Sequence, residues 1–277
     1  MKTQAKILVK RLGMEEALKK FYVEGRMLGE RSKFLIRGRP NPSDAILLAG
    51  SGRSGTTWIG NLIASGQGIQ QIFEPLHPRF SVQIRHLTGW EVGQRPRYQA
   101  HYMRSDEPHG EWSIYLNEVL SGRERNYWTD YHRTSYFPER FLIKTIRANL
   151  MLGFLSDQFS PKIIYVYRHP CAVVLSRLKV RWRADVGDIL SQDKLVEDYL
   201  QPWIGAIGRE RDLLGAHAVW WAVENMVASR ELESRPHYAV TYEALVQQPR
   251  LEIRKIWSWL GIQPIPIQKG LIERPAA

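Results

Sequence analysis

A short apolar run that leads into a glycine-rich loop constrains the fold of this chain more than any other segment. The segment reads Ala45-Ile46-Leu47-Leu48-Ala49-Gly50-Ser51-Gly52-Arg53-Ser54-Gly55-Thr56-Thr57-Trp58. A buried strand, a tight turn and a helix start in this order direct several backbone N–H groups at one point, beside the positive end of the helix. The segment therefore predicts a phosphate-binding loop at the end of a strand.

The loop differs from an ordinary nucleotide-binding P-loop at one position. Gly50, Gly55 and Thr57 fit the spacing G-x-x-x-x-G-K-[ST], but Thr56 stands where the lysine belongs. That lysine neutralises the terminal phosphates of a nucleoside triphosphate, so its absence disfavours ATP hydrolysis. Arg53, inside the loop, can supply positive charge instead. We therefore expect a P-loop-like cradle for an anion other than a γ-phosphate.

Apolar strands alternate with helical segments along most of the chain. Strands are expected at residues 45–49, 69–73, 141–146, 162–167 and 237–242, and helices at 55–64, 150–159, 170–179, 203–232 and 251–260. This alternation predicts a three-layer α/β fold, with a central, mostly parallel sheet flanked by helices.

The domain organisation follows from one break and one segment of different character. A Pro- and Asn-rich break at residues 39–43 separates a basic helical segment (residues 1–40) from a single α/β domain (residues 41–277). The stretch from 79 to 140, rich in Trp and Arg, has little periodicity. We expect it either to shape a substrate cleft or to be a structural insertion with an aromatic core.

Charge and cysteine content narrow the partners and the compartment. The net charge is +11, and residues 1–40 hold eleven Lys or Arg against four acidic residues. Such a segment can contact an anionic membrane surface, or lie as a solvated amphipathic helix on the domain. The single cysteine and the lack of an apolar stretch of about 20 residues favour a cytoplasmic protein. No nucleic-acid partner is expected, because no repeated pattern of basic and stacking residues is present.

A second run carries chemistry near the middle of the chain. It reads Lys162-Ile163-Ile164-Tyr165-Val166-Tyr167-Arg168-His169-Pro170-Cys171-Ala172-Val173-Val174-Leu175-Ser176-Arg177. The strand delivers Arg168 at its carboxyl end, where open α/β sheets bind ligands. A helix then begins at Pro170, and Ser176 lies two turns further on. An arginine fork and a hydroxyl suit a phosphate that lies along the flank of that helix.

Together the two runs resemble the sulfotransferase family, whose donor is 3′-phosphoadenosine-5′-phosphosulfate (PAPS). Residues 53–58 are similar to the family's 5′-phosphosulfate loop, residues 167–176 to its 3′-phosphate strand and helix, and residues 240–245 to a third element. The resemblance implies that the loop amides with Arg53, Ser54, Gly55, Thr56 and Thr57 hold the phosphosulfate. It implies that Arg168 and Ser176 hold the 3′-phosphate, while Trp58 stacks on adenine and Tyr242 contacts its edge. No metal is expected.

The acceptor hydroxyl needs a base, and the resemblance points to Glu74. This residue follows the second strand and resembles the acidic base of the carbohydrate and protein-tyrosine branches. Beside the cleft, we expect desolvation to raise the pKa of Glu74. Its alternative role is to cap a turn or pair with an arginine, and His77 is a second candidate base. Lys144 and Arg147 resemble a basic pair that either holds the sulfuryl oxygens, with Lys144 then catalytic, or pairs with Glu74.

The sequence departs from the family pattern directly after the 3′-phosphate arginine. His169 replaces the aspartate usual after the 3′-phosphate arginine, which is expected to change the bracing of that turn. Residues 73–76 are closer to the carbohydrate branch, so the expected acceptor is a carbohydrate or glycolipid.

A P-loop phosphotransferase is the alternative enzyme, but it needs a loop lysine and a metal-binding acid. A basic nucleic-acid-binding module is the non-enzymatic alternative.

Overall fold

The structure, a computed structural model, describes residues 40–91, 100–130 and 138–273, together with Phe21 and Gly25. The basic segment expected over residues 1–40 therefore lies outside the described residues, except for Phe21 and Gly25, which are both helical, and Pro40.

Five strands form one sheet in which every pairing is parallel. They are β1 (Ile46–Gly50), β2 (Ile69–Phe73), β3 (Arg140–Thr145), β4 (Lys162–Tyr167) and β5 (His237–Thr241). Their order across the sheet is β2-β3-β1-β4-β5, so β1 is central, and Ile46 lies opposite Leu142 on one side and Lys162 on the other. The described sheet is thus wholly parallel, where the sequence predicted a mostly parallel one.

Helices cover both faces of this sheet. They are α1 (Thr56–Ala64), α2 (Val82–Thr88), α3 (Gly110–Leu120), α4 (Leu152–Phe159), α5 (Pro170–Lys179), α6 (Gly187–Leu190), α7 (Asp193–Leu195), α8 (Ile204–Ile207), α9 (Leu213–Leu232), α10 (Tyr242–Gln247), α11 (Pro249–Trp259) and α12 (Lys269–Ile272). Within these described segments, no helix is both long enough and apolar enough to cross a bilayer.

Alternation along β1 divides the core between the two faces, because successive side chains of a strand point to opposite sides. Leu47 and Ala49 pack in one cluster with residues of α3, α4 and the end of α9. Ile46 and Leu48 pack in the other cluster, with α1 and α11. The chain therefore has the predicted three-layer α/β architecture.

One predicted helix is shorter than expected. The sequence predicted a helix over residues 203–232, but α9 begins at Leu213, and residues 209–212 lie in the connection before it. The short helix α8 is followed by Gly208, whose N–H bonds back to the Ile204 carbonyl. Asp212 then has an extended backbone and its Oδ1 accepts the Gly215 N–H at 2.7 Å, which starts a new helix.

The connectivity brings loops from distant parts of the sequence to one edge. The carboxyl ends of β1, β2, β3 and β4 all lie at the same edge of the sheet because the strands are parallel. The glycine-rich loop, Glu74, Ile146 and Arg168 directly follow these four ends. This edge is the place where open parallel sheets bind ligands.

The cap at Asp212 yields a test of why α9 begins where it does. Asp212→Ala should lower the free energy of unfolding by about 1 kcal/mol, since it removes the acceptor for the Gly215 N–H. Asp212→Asn keeps an acceptor oxygen and should stay close to the wild type. Urea denaturation of the three proteins measures the difference, and equal midpoints for Ala and wild type would contradict this account of the helix start.

Candidate active site

The glycine-rich loop leaves the N-terminus of α1 open. Gly55 is the N-cap of α1, has a left-handed backbone (φ 82°) and supplies no side-chain cap. A Cβ at this position would overlap the ring of Tyr242, so only glycine fits between the loop and that ring. The first N–H groups of a helix have no partner within the helix and carry its positive dipole end. This end of α1 can therefore receive an anion.

Arg53 and Arg168 lie together beside the loop. The Arg53 Nε donates to Ser176 Oγ at 3.0 Å, and Arg168 Nη1 donates to the Arg53 carbonyl at 2.8 Å. The guanidinium of Arg168 lies 4.1 Å from the centre of the Tyr242 ring, while its buried Nε has no hydrogen-bond partner among the described residues. The structure thus joins the two anion-binding runs predicted from the sequence.

Glu74 is a buried carboxylate held between two cations. Only 4% of its surface is exposed, its Oε1 accepts from Lys144 Nζ at 2.5 Å and its Oε2 from Arg147 Nη1 at 3.1 Å. The Ile146 N–H adds a contact of 3.3 Å. Burial by itself raises the pKa of Glu74, but the charges of Lys144 and Arg147 outweigh it and the pKa is lowered. The expected raised pKa was therefore wrong, because the basic pair is in direct contact with the carboxylate.

These groups surround a cavity of about 270 Å³ at the carboxyl edge of the sheet. Its lining residues are Arg53, Gly55, Thr56, Thr57, Phe73, Glu74, His77, Trp128, Lys144, Ile146, Arg147, Arg168 and Trp182. Among these described residues, four cationic side chains face a single carboxylate. The excess of positive charge and the open end of α1 suit a ligand with more than one anionic group.

Seven residues of the predicted site line this cavity, namely Arg53, Gly55, Thr56, Thr57, Glu74, Lys144 and Arg168. His77 and Arg147 line it as well. Ser176 takes part through its contact with Arg53 and is not itself a lining residue. Ser54, within the loop, is fully buried, and its hydroxyl has no partner in the part of the chain that the structure describes.

Trp58 and Tyr242 do not line the cavity. Trp58 is 4% exposed, its Nε1 donates to the Leu271 carbonyl of α12 at 2.7 Å, and its ring meets the edge of Tyr242 with centroids 5.9 Å apart. The indole of Trp58, which was expected to stack on adenine, is thus buried in this arrangement, with α12 at its Nε1 and Tyr242 beside it. Tyr242 itself is 9% exposed and packs under Arg168.

Two tryptophans of the cavity wall were not singled out from the sequence. Trp128 belongs to the segment that was expected to shape a cleft or be structural, and the structure supports the first role. Trp182 follows α5 and lies against the loop, since a Cβ on Gly52 would come within 2.7 Å of its ring. The sequence gives no local signal that Trp182 meets a glycine 130 positions earlier.

A buried ion pair beneath the loop was also missed. Arg177 of α5 and Glu224 of α9 are 2% and 3% exposed, and Arg177 Nη2 lies 2.9 Å from Glu224 Oε2. Ser51 Oγ donates to the same carboxylate at 2.5 Å, and Arg177 Nε donates to the Gly52 carbonyl at 3.1 Å. Asn149 joins from the other side, with its Nδ2 at 3.3 Å from Glu224 Oε1. This network fixes the loop from below.

The turn after β4 has a brace where the sequence showed a departure. The backbone N–H of His169 donates to the carboxylate of Glu243, on α10, at 3.1 Å. An acidic side chain from the third sequence element thus holds the turn that follows Arg168, in place of an aspartate at position 169 itself.

The sequence model of a family described as the sulfotransferase family matches residues 45–266. No curated protein matches the sequence. One similar solved structure is the sulfotransferase domain from the curacin biosynthetic pathway, at 17% identity over 84% of this chain and 78% of that chain, with a TM-score of 0.47. Another is the sulfotransferase domain from the Synechococcus PCC 7002 olefin synthase, at 16% identity over 87% of this chain and 80% of that chain, with a TM-score of 0.48. Mouse sulfotransferase SULT7A1 complexed with PAP is a third, at 14% identity over 84% of this chain and 65% of that chain, with a TM-score of 0.43.

The buried ion pair can be tested by removing one partner. Glu224→Gln should lower the free energy of unfolding by about 3–5 kcal/mol, because it leaves Arg177 as an uncompensated buried charge. The double variant Arg177→Met with Glu224→Leu removes both charges and should recover much of that loss. Chemical denaturation provides the comparison. A double variant less stable than Glu224→Gln would show that the pairing is not what makes the single substitution costly.

Proposed function

Because the chain belongs to the sulfotransferase family, we propose that it transfers a sulfuryl group from PAPS to a hydroxyl of a carbohydrate or glycolipid. The observation that carries the proposal is the cavity where, among the described lining residues, Arg53, Lys144, Arg147 and Arg168 surround the single carboxylate of Glu74. The carbohydrate class rests on the resemblance of residues 73–76. A cytoplasmic location, and contact of the basic N-terminal segment with an anionic membrane, stay predictions from composition.

The residues present fit a donor with two anionic ends. The open N-terminus of α1, with Arg53, Thr56 and Thr57, suits the phosphosulfate. Within the described residues the buried Nε of Arg168 has no partner, and Ser176 lies beside Arg53, so this pair suits the 3′-phosphate. Stacking of adenine on Trp58 requires the groups that bury the indole, among them α12 and Tyr242, to move away.

The chain's own groups have distinct tasks in the proposed reaction. PAPS supplies a sulfuryl group on a phosphate leaving group. The amides of the loop and the guanidinium of Arg53 stabilise the negative charge that grows on that phosphate, and they need little reorganisation because the loop is fixed from below. Lys144 stabilises the oxygens of the group in transfer.

Glu74 is the proposed general base. Contact with Lys144 and Arg147 lowers its pKa, which favours the ionised carboxylate and weakens it as a base. Anionic oxygens in the cavity compete for the same two cations. As the cations turn to those oxygens, burial dominates the pKa of Glu74, which rises and lets the carboxylate accept the proton of the acceptor hydroxyl.

Ligand binding tests the choice of donor. The protein should bind 3′-phosphoadenosine-5′-phosphate much more tightly than adenosine 5′-phosphate in isothermal titration calorimetry, because only the first ligand offers a second anion to Arg168. ATP with magnesium and an oligonucleotide are the comparison ligands for the phosphotransferase and nucleic-acid alternatives. Equal affinity for the two adenosine phosphates would contradict the proposal. Tightest binding of ATP with magnesium would favour a phosphotransferase.

The role of Glu74 has its own test. Glu74→Gln should lower the turnover of labelled PAPS with a sugar acceptor by about 10²–10⁴-fold, since the amide cannot take the proton. Its affinity for 3′-phosphoadenosine-5′-phosphate should not fall, because Glu74 only competes with the anionic groups of a ligand for Lys144 and Arg147. Retained binding also reports that the variant is folded. Glu252→Gln, which removes a carboxylate paired with Lys255 on α11, is the matched control and should keep full activity. Turnover that survives in Glu74→Gln would remove Glu74 as the base.

A further inference from the structure

His77 lies on the same turn as Glu74, the proposed base, and lines the same cavity. The His77 N–H donates to the Glu74 carbonyl at 3.1 Å, and the His77 carbonyl accepts the N–H groups of Phe80 and Ser81 at 3.0 and 3.2 Å. The turn is therefore closed by backbone hydrogen bonds on both sides of His77. Since both side chains line the cavity, a ligand that reaches Glu74 also lies near the His77 ring.

The hydrogen bonding of the ring determines which nitrogen a ligand can use. The backbone N–H of Arg79 donates to His77 Nδ1 at 3.1 Å, so the lone pair of Nδ1 is occupied. A neutral imidazole with an accepting Nδ1 carries its proton on Nε2. The nitrogen left for a ligand is thus a donor and has no lone pair to take a proton.

The ring is neutral because of its surroundings. Burial lowers the pKa of His77 to about 3, with the positive charges of Arg147 and Arg79 acting in the same direction, while Glu74 opposes them. The ring therefore stays uncharged through the neutral pH range. The same low value makes it a poor base for an alcohol.

Aromatic side chains hold His77 and form the wall beside it. Its ring lies 5.0 Å from that of Phe80 and 6.1 Å from that of Trp128, centre to centre. Trp128 stacks on Phe80 at 3.8 Å with an angle of 12°, so one face of the indole is covered. Asn126 Oδ1 accepts the backbone N–H of Trp128 at 2.9 Å and fixes the residue that carries the indole. Trp128 still lines the cavity, so it offers an apolar surface there.

We propose that His77 and Trp128 form the acceptor subsite. In it, His77 Nε2–H donates to an oxygen of the acceptor that lies next to the reacting hydroxyl, and Trp128 packs on the carbon atoms of the acceptor's sugar ring. This inference rests on the proposed function. A simple alcohol or phenol fills the apolar wall but lacks the second oxygen. A polyol ring offers the C–H face, the second oxygen and the hydroxyl that Glu74 deprotonates. His77 thus determines specificity and is not the base.

The protonation of the ring is measured first, with no acceptor present. In a protein with ¹⁵N-labelled histidine, the long-range ¹H–¹⁵N spectrum of His77 should be that of the neutral Nε2–H tautomer at pH 7. His77→Gln assigns the signal, and His86→Gln, on the exposed helix α2, is the control. A charged His77 ring, or a proton on Nδ1 in place of Nε2, would overturn the proposed role of His77. Neither result would contradict the proposed sulfuryl transfer.

Kinetics with two classes of acceptor provide the second measurement. The probes are methyl glycosides of glucose, galactose and N-acetylglucosamine, with 2-naphthol as the acceptor that has no second oxygen. His77→Phe keeps the aromatic packing and should raise the KM for the preferred glycoside about tenfold with kcat little changed. His77→Gln supplies an N–H and should recover part of the loss. Neither variant should change the KM for 2-naphthol.

The outcomes separate this proposal from the one on which it rests. If turnover falls about a hundredfold or more in both variants while affinity for 3′-phosphoadenosine-5′-phosphate stays normal, His77 is the base and the proposal is overturned. Equal KM increases for glycoside and naphthol would overturn it too, as would transfer to naphthol with none to the glycosides. In each of these cases sulfuryl transfer itself stands. Absence of 3′-phosphoadenosine-5′-phosphate binding in the wild type would instead refute the proposed function, and this proposal with it.

Discussion

The buried contact between Arg177 and Glu224 is the interaction on which the geometry of the cavity depends. A loop rich in glycine has many backbone conformations of similar energy, so it holds one shape only if its surroundings impose it. Glu224 binds Ser51, and Arg177 binds the Gly52 carbonyl, so α5 and α9 together impose that shape. Asn149 carries the same network to the Ile146 carbonyl, beside Arg147. Each of these two buried charges is unfavourable without the other, so Arg177 and Glu224 must stay paired. Because this pair contacts the glycine-rich loop and, through Asn149, the backbone at Ile146, it positions two sides of the cavity.

Charge balance within the cavity links ligand binding to the state of Glu74. Like charges as close as those of Lys144 and Arg147 repel, and Glu74 offsets that repulsion from a buried position between them. Arg53 and Arg168 add two more cations to the described lining of the cavity, so positive charge exceeds negative charge there. An anionic ligand therefore enters a site with a surplus of positive charge, and it exchanges with Glu74 for the same cations. Under the proposed function, this exchange ties the strength of the base to the presence of the donor.

Local patterns predicted much of this molecule, and contacts between distant segments account for what they did not. The strands, the α/β layers and the helix start at the glycine-rich loop follow from short-range periodicity and turn residues, as at Gly55. The prediction for Glu74 had the right place but the wrong direction of pKa, because the sequence does not fix the distance from its carboxylate to Lys144 and Arg147. The pairing of Trp182 with Gly52 and of Arg177 with Glu224 depends on how helices pack across the sheet. The start of α9 was missed because Asp212 was placed inside the predicted helix 203–232, whereas in the structure it is the N-cap.

The position of β1 at the centre of the sheet has a consequence for how the molecule acquires its site. Ile46 pairs with Leu142 and with Lys162, so the central strand waits for partners about 100 residues further along the chain. Closing such large loops is entropically unfavourable, and contacts of this range form late and slow the folding of a chain. The cavity has walls from the ends of four strands and cannot exist until both neighbours of β1 are in place. A partly folded chain therefore lacks the cavity even when its helices have formed. Binding of an anion in the cavity thus indicates that the sheet is complete.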